Sequence, residues 1–82
     1  MSLVELTEEI VKSLVENPDG VSVKEFPSEE ENVMLIQVMV DENDMGRVIG
    51  KEGRTANAIR TLVQASSALN DNKYVKIDID KF

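Results

Sequence analysis

The sequence predicts an α+β fold in which helices pack on one face of a three-stranded sheet, in the order α-β-β-α-α-β. Three patterns carry that expectation. Apolar residues recur at helical spacing near the N-terminus. Two β-branched runs follow, joined by a short polar loop. A last segment alternates apolar and polar residues after a long helical stretch. An amphipathic helix and a one-sided sheet each carry an apolar surface, and stacking them as layers buries both. The chain has 82 residues, 41% of them hydrophobic, enough for one globular domain spanning 1–82.

Leu3, Leu6, Ile10 and Leu14 form the stripe of a helix over residues 3–16, and Val11 and Val15 widen it. Ser2 with Glu5 three residues on matches a capping box, in which each residue bonds the other's backbone N–H. Asn17-Pro18-Asp19-Gly20 stops the helix and turns the chain. Residues 21–26 (VSVKEF) alternate, residues 27–32 (PSEEEN) are polar, and residues 33–40 form a more apolar run. Together they predict an antiparallel hairpin over 21–40. Asp41 ends the second strand, and Asp44 is placed to cap a short helix over Met45–Ile49. Gly50-Lys51-Glu52-Gly53 interrupts the helical pattern. A longer helix then runs from Arg54 to Leu69 with Ala56, Ile59, Leu62 and Val63 facing inward, so a helix–loop–helix unit covers 45–69. The final strand spans 74–79, with Val75, Ile77 and Ile79 on one face and Lys76 and Asp78 on the other. Met34, Met39 and Met45 are expected to fill gaps in the core.

Composition removes several kinds of chemistry. The chain has no Cys and no His, which excludes a Cys/His zinc site, a thiol nucleophile, a disulfide framework and a histidine base. No nucleophile–base pair is identifiable, so the expectation is a protein that is not an enzyme and uses no cofactor and no metal. Asp41, Asn43, Gly46 and Glu52 match four positions of a calcium-binding EF-hand loop. Met45 and Ile49, however, occupy positions where oxygen ligands belong, and the segment before them reads as a strand. No apolar run approaches the ~20 residues of a membrane span. The first residues lack the basic and apolar regions of a secretory signal. The expected location is cytoplasmic.

Charge is unevenly placed. Nine basic residues stand against 16 acidic ones, for a net −7, a balance that on its face disfavours nucleic acid. Residues 1–44 hold two basic residues and 12 acidic ones, a net −10, while residues 45–82 hold seven and four, a net +3. The run Glu29-Glu30-Glu31 is expected to be a solvated loop tip.

The basic excess centres on Arg47-Val48-Ile49-Gly50-Lys51-Glu52-Gly53-Arg54. Gly50 and Gly53 permit positive φ and a close approach of another backbone. The segment opens a helix, whose free N–H groups attract an anion. Arg47, Lys51 and Arg54 add positive charge. Arg60, further along, is expected to be an ordinary solvated side chain.

Val48-Ile49-Gly50-Lys51-Glu52-Gly53-Arg54 resembles the I-G-x-x-G loop of KH domains, which clamps about four nucleotides of single-stranded nucleic acid. The order α-β-β-α-α-β is similar to the type II KH domain. The length and N-terminal helix resemble the small stand-alone bacterial KH proteins of the KhpA type. The resemblance implies single-stranded RNA as ligand and a role as RNA chaperone or post-transcriptional regulator. It implies that the protein works as a homodimer or with a second, larger KH-containing RNA-binding protein. Gly50 and Gly53 would be the clamp glycines, Lys51 and Glu52 the variable positions, and the backbone from Lys51 to Arg54 would face phosphate. Val48 and Ile49 would help form the base-binding groove, with the second strand near Val38 and Val40 as its opposite wall. Glu52 departs from a basic clamp and implies modest affinity.

Overall fold

The computed structural model describes all 82 residues, Met1–Phe82. Helix α1 (Leu3–Leu14) leads through a 3₁₀ turn at Pro18–Gly20 into strand β1 (Ser22–Phe26) and strand β2 (Val33–Val40). A second 3₁₀ turn (Glu42–Asp44), helix α2 (Met45–Ile49), a third turn (Lys51–Gly53), helix α3 (Arg54–Asn70) and strand β3 (Tyr74–Lys81) follow. The predicted order is therefore observed. The sheet runs β1-β2-β3. β1 pairs antiparallel with β2, Val23 opposite Val38. β3 pairs parallel with β2, Ile36 opposite Ile77. A parallel pair needs a crossover, and α2 with α3 supplies it.

The core lies between one sheet face and the helices. Val23 from β1, Ile36, Val38 and Val40 from β2, and Val75 and Ile77 from β3 meet Leu3 and Val11 of α1, Val48 of α2 and Ile59 and Val63 of α3. Alternate strand residues point the other way, which is why Lys24, Lys76 and Asp78 are exposed.

The capping box forms as expected. The Glu5 N–H donates to Ser2 Oγ at 3.0 Å, and the Ser2 N–H donates to Glu5 Oε1 at 3.2 Å. Hydrogen bonding of the Glu5 carboxylate to the Ser2 backbone N–H, and after it to the Ser2 hydroxyl, holds that carboxyl below its ordinary pKa.

The structure corrects four local expectations. α1 ends at Leu14, not residue 16, because Val15 is already extended and Asn17 precedes a proline, which disfavours helical backbone. The centre of its buried face passes through Leu3, Thr7 and Val11, leaving Leu6, Ile10 and Leu14 half-buried. Thr7 is admitted because its hydroxyl donates to the Leu3 carbonyl at 2.7 Å. On α3 the buried row is Ala56, Ile59, Val63 and Ser67, while Leu62 is 57% exposed. Ser67 bonds Lys73 through both its oxygen and its hydroxyl hydrogen, tying the end of α3 to the start of β3. β3 runs two residues beyond Ile79, because backbone pairing with Met39 and Val40 continues where the apolar alternation has stopped.

Candidate nucleic-acid interface

α2 stops at Ile49 because Gly50 takes φ 76°, ψ 174°, a region essentially closed to residues with a Cβ. A Cβ there would also lie 2.2 Å from Thr55 Oγ1 and 2.8 Å from the Thr55 backbone nitrogen. Glycine is thus required for two independent reasons. Glu52 (φ 56°, ψ 25°) and Gly53 (φ 77°, ψ 12°) are both left-handed. At Gly53 an added Cβ would meet nothing within 4 Å. The loop closes on itself: Gly50 N–H donates to the Gly46 carbonyl at 2.9 Å, Gly53 N–H to the Gly50 carbonyl at 3.2 Å, and Arg54 N–H to the Lys51 carbonyl. It delivers the chain into α3, a 17-residue helix whose N-terminal partial charge is positive.

The side chains are less uniform than the sequence suggests. Lys51 is exposed and belongs to no ion pair, whereas Arg54 lies 3.8 Å from the Glu52 carboxylate. Arg47 is turned toward the segment that follows α1, where it bonds Glu16, and it sits 3.9 Å from Asp44. Asp44 holds the N-terminal position of α2, but its side chain does not cap that helix. Its carboxylate is buried and accepts the N–H groups of Glu16 (3.0 Å) and Asn17 (3.2 Å). The capping carboxylate is Asp41, which accepts the Asn43 N–H ahead of the 3₁₀ turn.

Val48 is fully enclosed in the core, so it holds α2 down instead of offering a surface to a base. Ile49 is half-buried beside the loop. Val38 and Val40 are likewise fully enclosed, because they lie on the sheet face that the helices cover. An open groove lies between α3 and the edge strand β3. It has a volume of about 620 Å³, and its lining includes Arg60, Gln64, Ala65, Tyr74 and Lys76.

Several of these positions carried no signal in the sequence. Thr55 packs against Gly50, and nothing in its neighbourhood of the chain announces that. Arg60 is not simply solvated: its Nε donates to the Ile77 carbonyl at 3.2 Å. Gln64 accepts the Val75 N–H at 2.9 Å and donates to the Lys73 carbonyl at 3.0 Å. These side chains saturate part of the open edge of β3, and they became predictable only once β3 was placed at the edge.

The sequence matches the family model described as KhpA/KhpB, KH domain, over residues 4–79. It is 48% identical over 75 residues to the RNA-binding protein KhpA of Clostridium perfringens, covering 92% of this chain and 96% of that one. Identity to the RNA-binding protein KhpA of Listeria monocytogenes is 45%, over 92% and 95% of the two chains. Among solved structures, Aquifex aeolicus Era bound to GDP and aluminium fluoride superimposes with a TM-score of 0.73 at 23% identity, over 98% of this chain. Era in complex with MgGDPNP and nucleotides 1506–1542 of 16S ribosomal RNA gives 0.68 at 24% identity, over 96% of this chain. The present chain spans about 30% of the Era chains, and the likeness is one of fold.

Proposed function

Because the chain belongs to the KhpA/KhpB family of KH domains, we propose that it binds single-stranded RNA, without catalysis, through the loop from Gly50 to Arg54. The observation that carries this reading is the loop itself. Two glycines at positive φ bend it tightly at the N-terminus of α3, and the exposed, unpaired Lys51 stands at its tip. With the Gly53 and Arg54 N–H groups already donated inside the loop, the N-terminal end of α3 and the Lys51 cation presented together suit a phosphate run of about four nucleotides. Ile49 borders the loop, and the α3–β3 groove with Arg60, Tyr74 and Lys76 gives the bases a path away from it. The curated relatives are named as RNA-binding proteins, which supports the same ligand.

The protein acts, in this reading, as an RNA chaperone or post-transcriptional regulator. A single loop on a chain of net −7 binds weakly, so two linked loops serve better, through a homodimer or a larger KH-containing partner. Leu62 and Leu69 stand exposed one above the other on α3, apolar side chains that a second chain would cover.

The test is the affinity for a short unstructured RNA measured across a range of salt. Phosphate contacts give a log–log slope of about −0.7 per contact for single strands. Lys51→Asp, at an exposed position, is expected to keep the fold and weaken binding about tenfold or more by putting a carboxylate in the phosphate path. Undiminished binding by the folded variant would sink the clamp mechanism. A second reading, a protein-interaction module whose clamp is unused, draws on the pairing of Arg47 and Arg54 with carboxylates. It predicts no salt-dependent RNA binding even at low salt.

A further inference from the structure

The three cations of the loop region are not equally available. Lys51 is free, whereas Arg47 and Arg54 each already hold a carboxylate. The pairing at Arg47 is built by the fold. The buried Asp44 carboxylate takes the N–H groups of Glu16 and Asn17, which fixes the chain leaving α1 beside α2 and brings the Glu16 side chain to the guanidinium. The pairing at Arg54 comes from within the loop. Glu52 occupies a left-handed conformation that few side chains adopt, and its carboxylate lies within ion-pair distance of Arg54.

We infer that Glu16 and Glu52 are internal competitors of RNA phosphates for Arg47 and Arg54, and that they set the affinity of the loop. The inference rests on the RNA-binding reading above. Carboxylate and phosphate both present oxygens to the fork of a guanidinium, so one displaces the other. Lys51 meets the RNA first. Arg47 and Arg54 join only where a phosphate takes the place of a carboxylate. Both pairs are largely exposed, and such pairs are worth little. Freeing each arginine is therefore expected to tighten binding only about two- to fivefold.

The experiment measures Kd for the same short RNA with Glu16→Gln, Glu52→Gln and, as a charge control, Glu29→Gln in the exposed β1–β2 loop. Glutamine keeps the shape, and at position 52 it keeps the branching pattern of a residue already at positive φ, so the charge alone changes. Circular dichroism confirms that each variant is folded. Glu16→Gln and Glu52→Gln are each expected to bind about two- to fivefold tighter than the parent, and more tightly than Glu29→Gln. The salt slope should steepen by up to about 0.7 for each arginine released. The gain of Glu16→Gln should vanish in an Arg47→Gln background, and that of Glu52→Gln in an Arg54→Gln background. A gain no larger than that of Glu29→Gln, or one that persists without the arginine, overturns the inference. If Lys51→Asp still weakens binding about tenfold or more in that case, the RNA-binding reading stands without it. Absence of salt-dependent binding by the parent and by both glutamine variants overturns both.

Discussion

Replacing Gly50 by Ala places a methyl group where the loop has no room for one. The backbone there sits at φ 76°, ψ 174°, and a residue with a Cβ costs about 1–3 kcal/mol in that region. The methyl would also lie 2.2 Å from Thr55 Oγ1, 2.7 Å from its Cβ and 2.8 Å from its backbone nitrogen. The hydroxyl can rotate away, but the nitrogen moves only if the first turn of α3 moves. Such overpacking adds about 1–3 kcal/mol, for a total near 2–6 kcal/mol. At roughly 4–8 °C per kcal/mol for a domain of this size, the melting temperature should fall by about 8 °C or more. Gly53→Ala is the internal comparison. It is left-handed at φ 77°, ψ 12° with nothing within 4 Å of the added carbon, so only the conformational cost of about 1–2 kcal/mol applies. Thermal and urea unfolding followed by far-UV circular dichroism reads both variants. Adding Thr55→Ala to Gly50→Ala should restore less than half of the loss, since the Thr55 Cβ and nitrogen remain in the way. A Gly50→Ala protein at least as stable as Gly53→Ala would refute the packing of Thr55 against the loop.

Three further outcomes are expected. Ile59→Ala should cost about 2–5 kcal/mol because that side chain is 2% exposed, while Leu62→Ala, at 57% exposure, should stay within about 0.5 kcal/mol; urea midpoints test the pair. Asp44→Ala should cost about 1–3 kcal/mol by leaving the Glu16 and Asn17 N–H groups without their acceptor, and hydrogen exchange should show both amides losing protection. The depressed Glu5 pKa means that the unfolded chain takes up this proton at a higher pH than the folded one does. Its contribution to stability is therefore complete above the unfolded value and is lost as pH falls through the folded value, below the ordinary glutamate range. NMR titration should show Ser2→Ala returning Glu5 only part of the way toward its ordinary pKa, because the backbone N–H at position 2 remains; an unchanged midpoint would exclude the Ser2 hydroxyl as a contributor.

Much of the fold is legible in short stretches of chain. The Ser2–Glu5 box, the proline turn, the β1–β2 hairpin and the interruption at Gly50–Gly53 all depend on residues within a few positions of one another. Apolar spacing located α1, α3 and the strands, and the cap and glycine signals located α2, but the spacing misjudged which side chain lies deepest. Leu62 looks like core because leucine usually is, yet the buried row of α3 ends on Ser67, which enters because Lys73 satisfies its hydroxyl. Thr7 enters α1's buried face in the same way, through the Leu3 carbonyl. Hydrogen-bond satisfaction of this kind is invisible to a hydrophobic pattern.

The sequence by itself determined the order of elements and the shape of the loop, because backbone preference and periodicity act over a few residues. Only the tertiary structure decided that β3 lies parallel to β2 at the sheet edge, where it forms a groove with α3, and that Val38 and Val40 are enclosed in the core. It also decided the electrical state of the loop. Counted along the chain, residues 45–82 carry +3 and stand apart from the acidic half. In space, Glu16 of that acidic half reaches Arg47 across 31 positions of sequence, and Asp44 holds it there. Coulomb forces act over about 8 Å in physiological salt, so proximity in the fold, not position in the chain, sets which charges a phosphate meets.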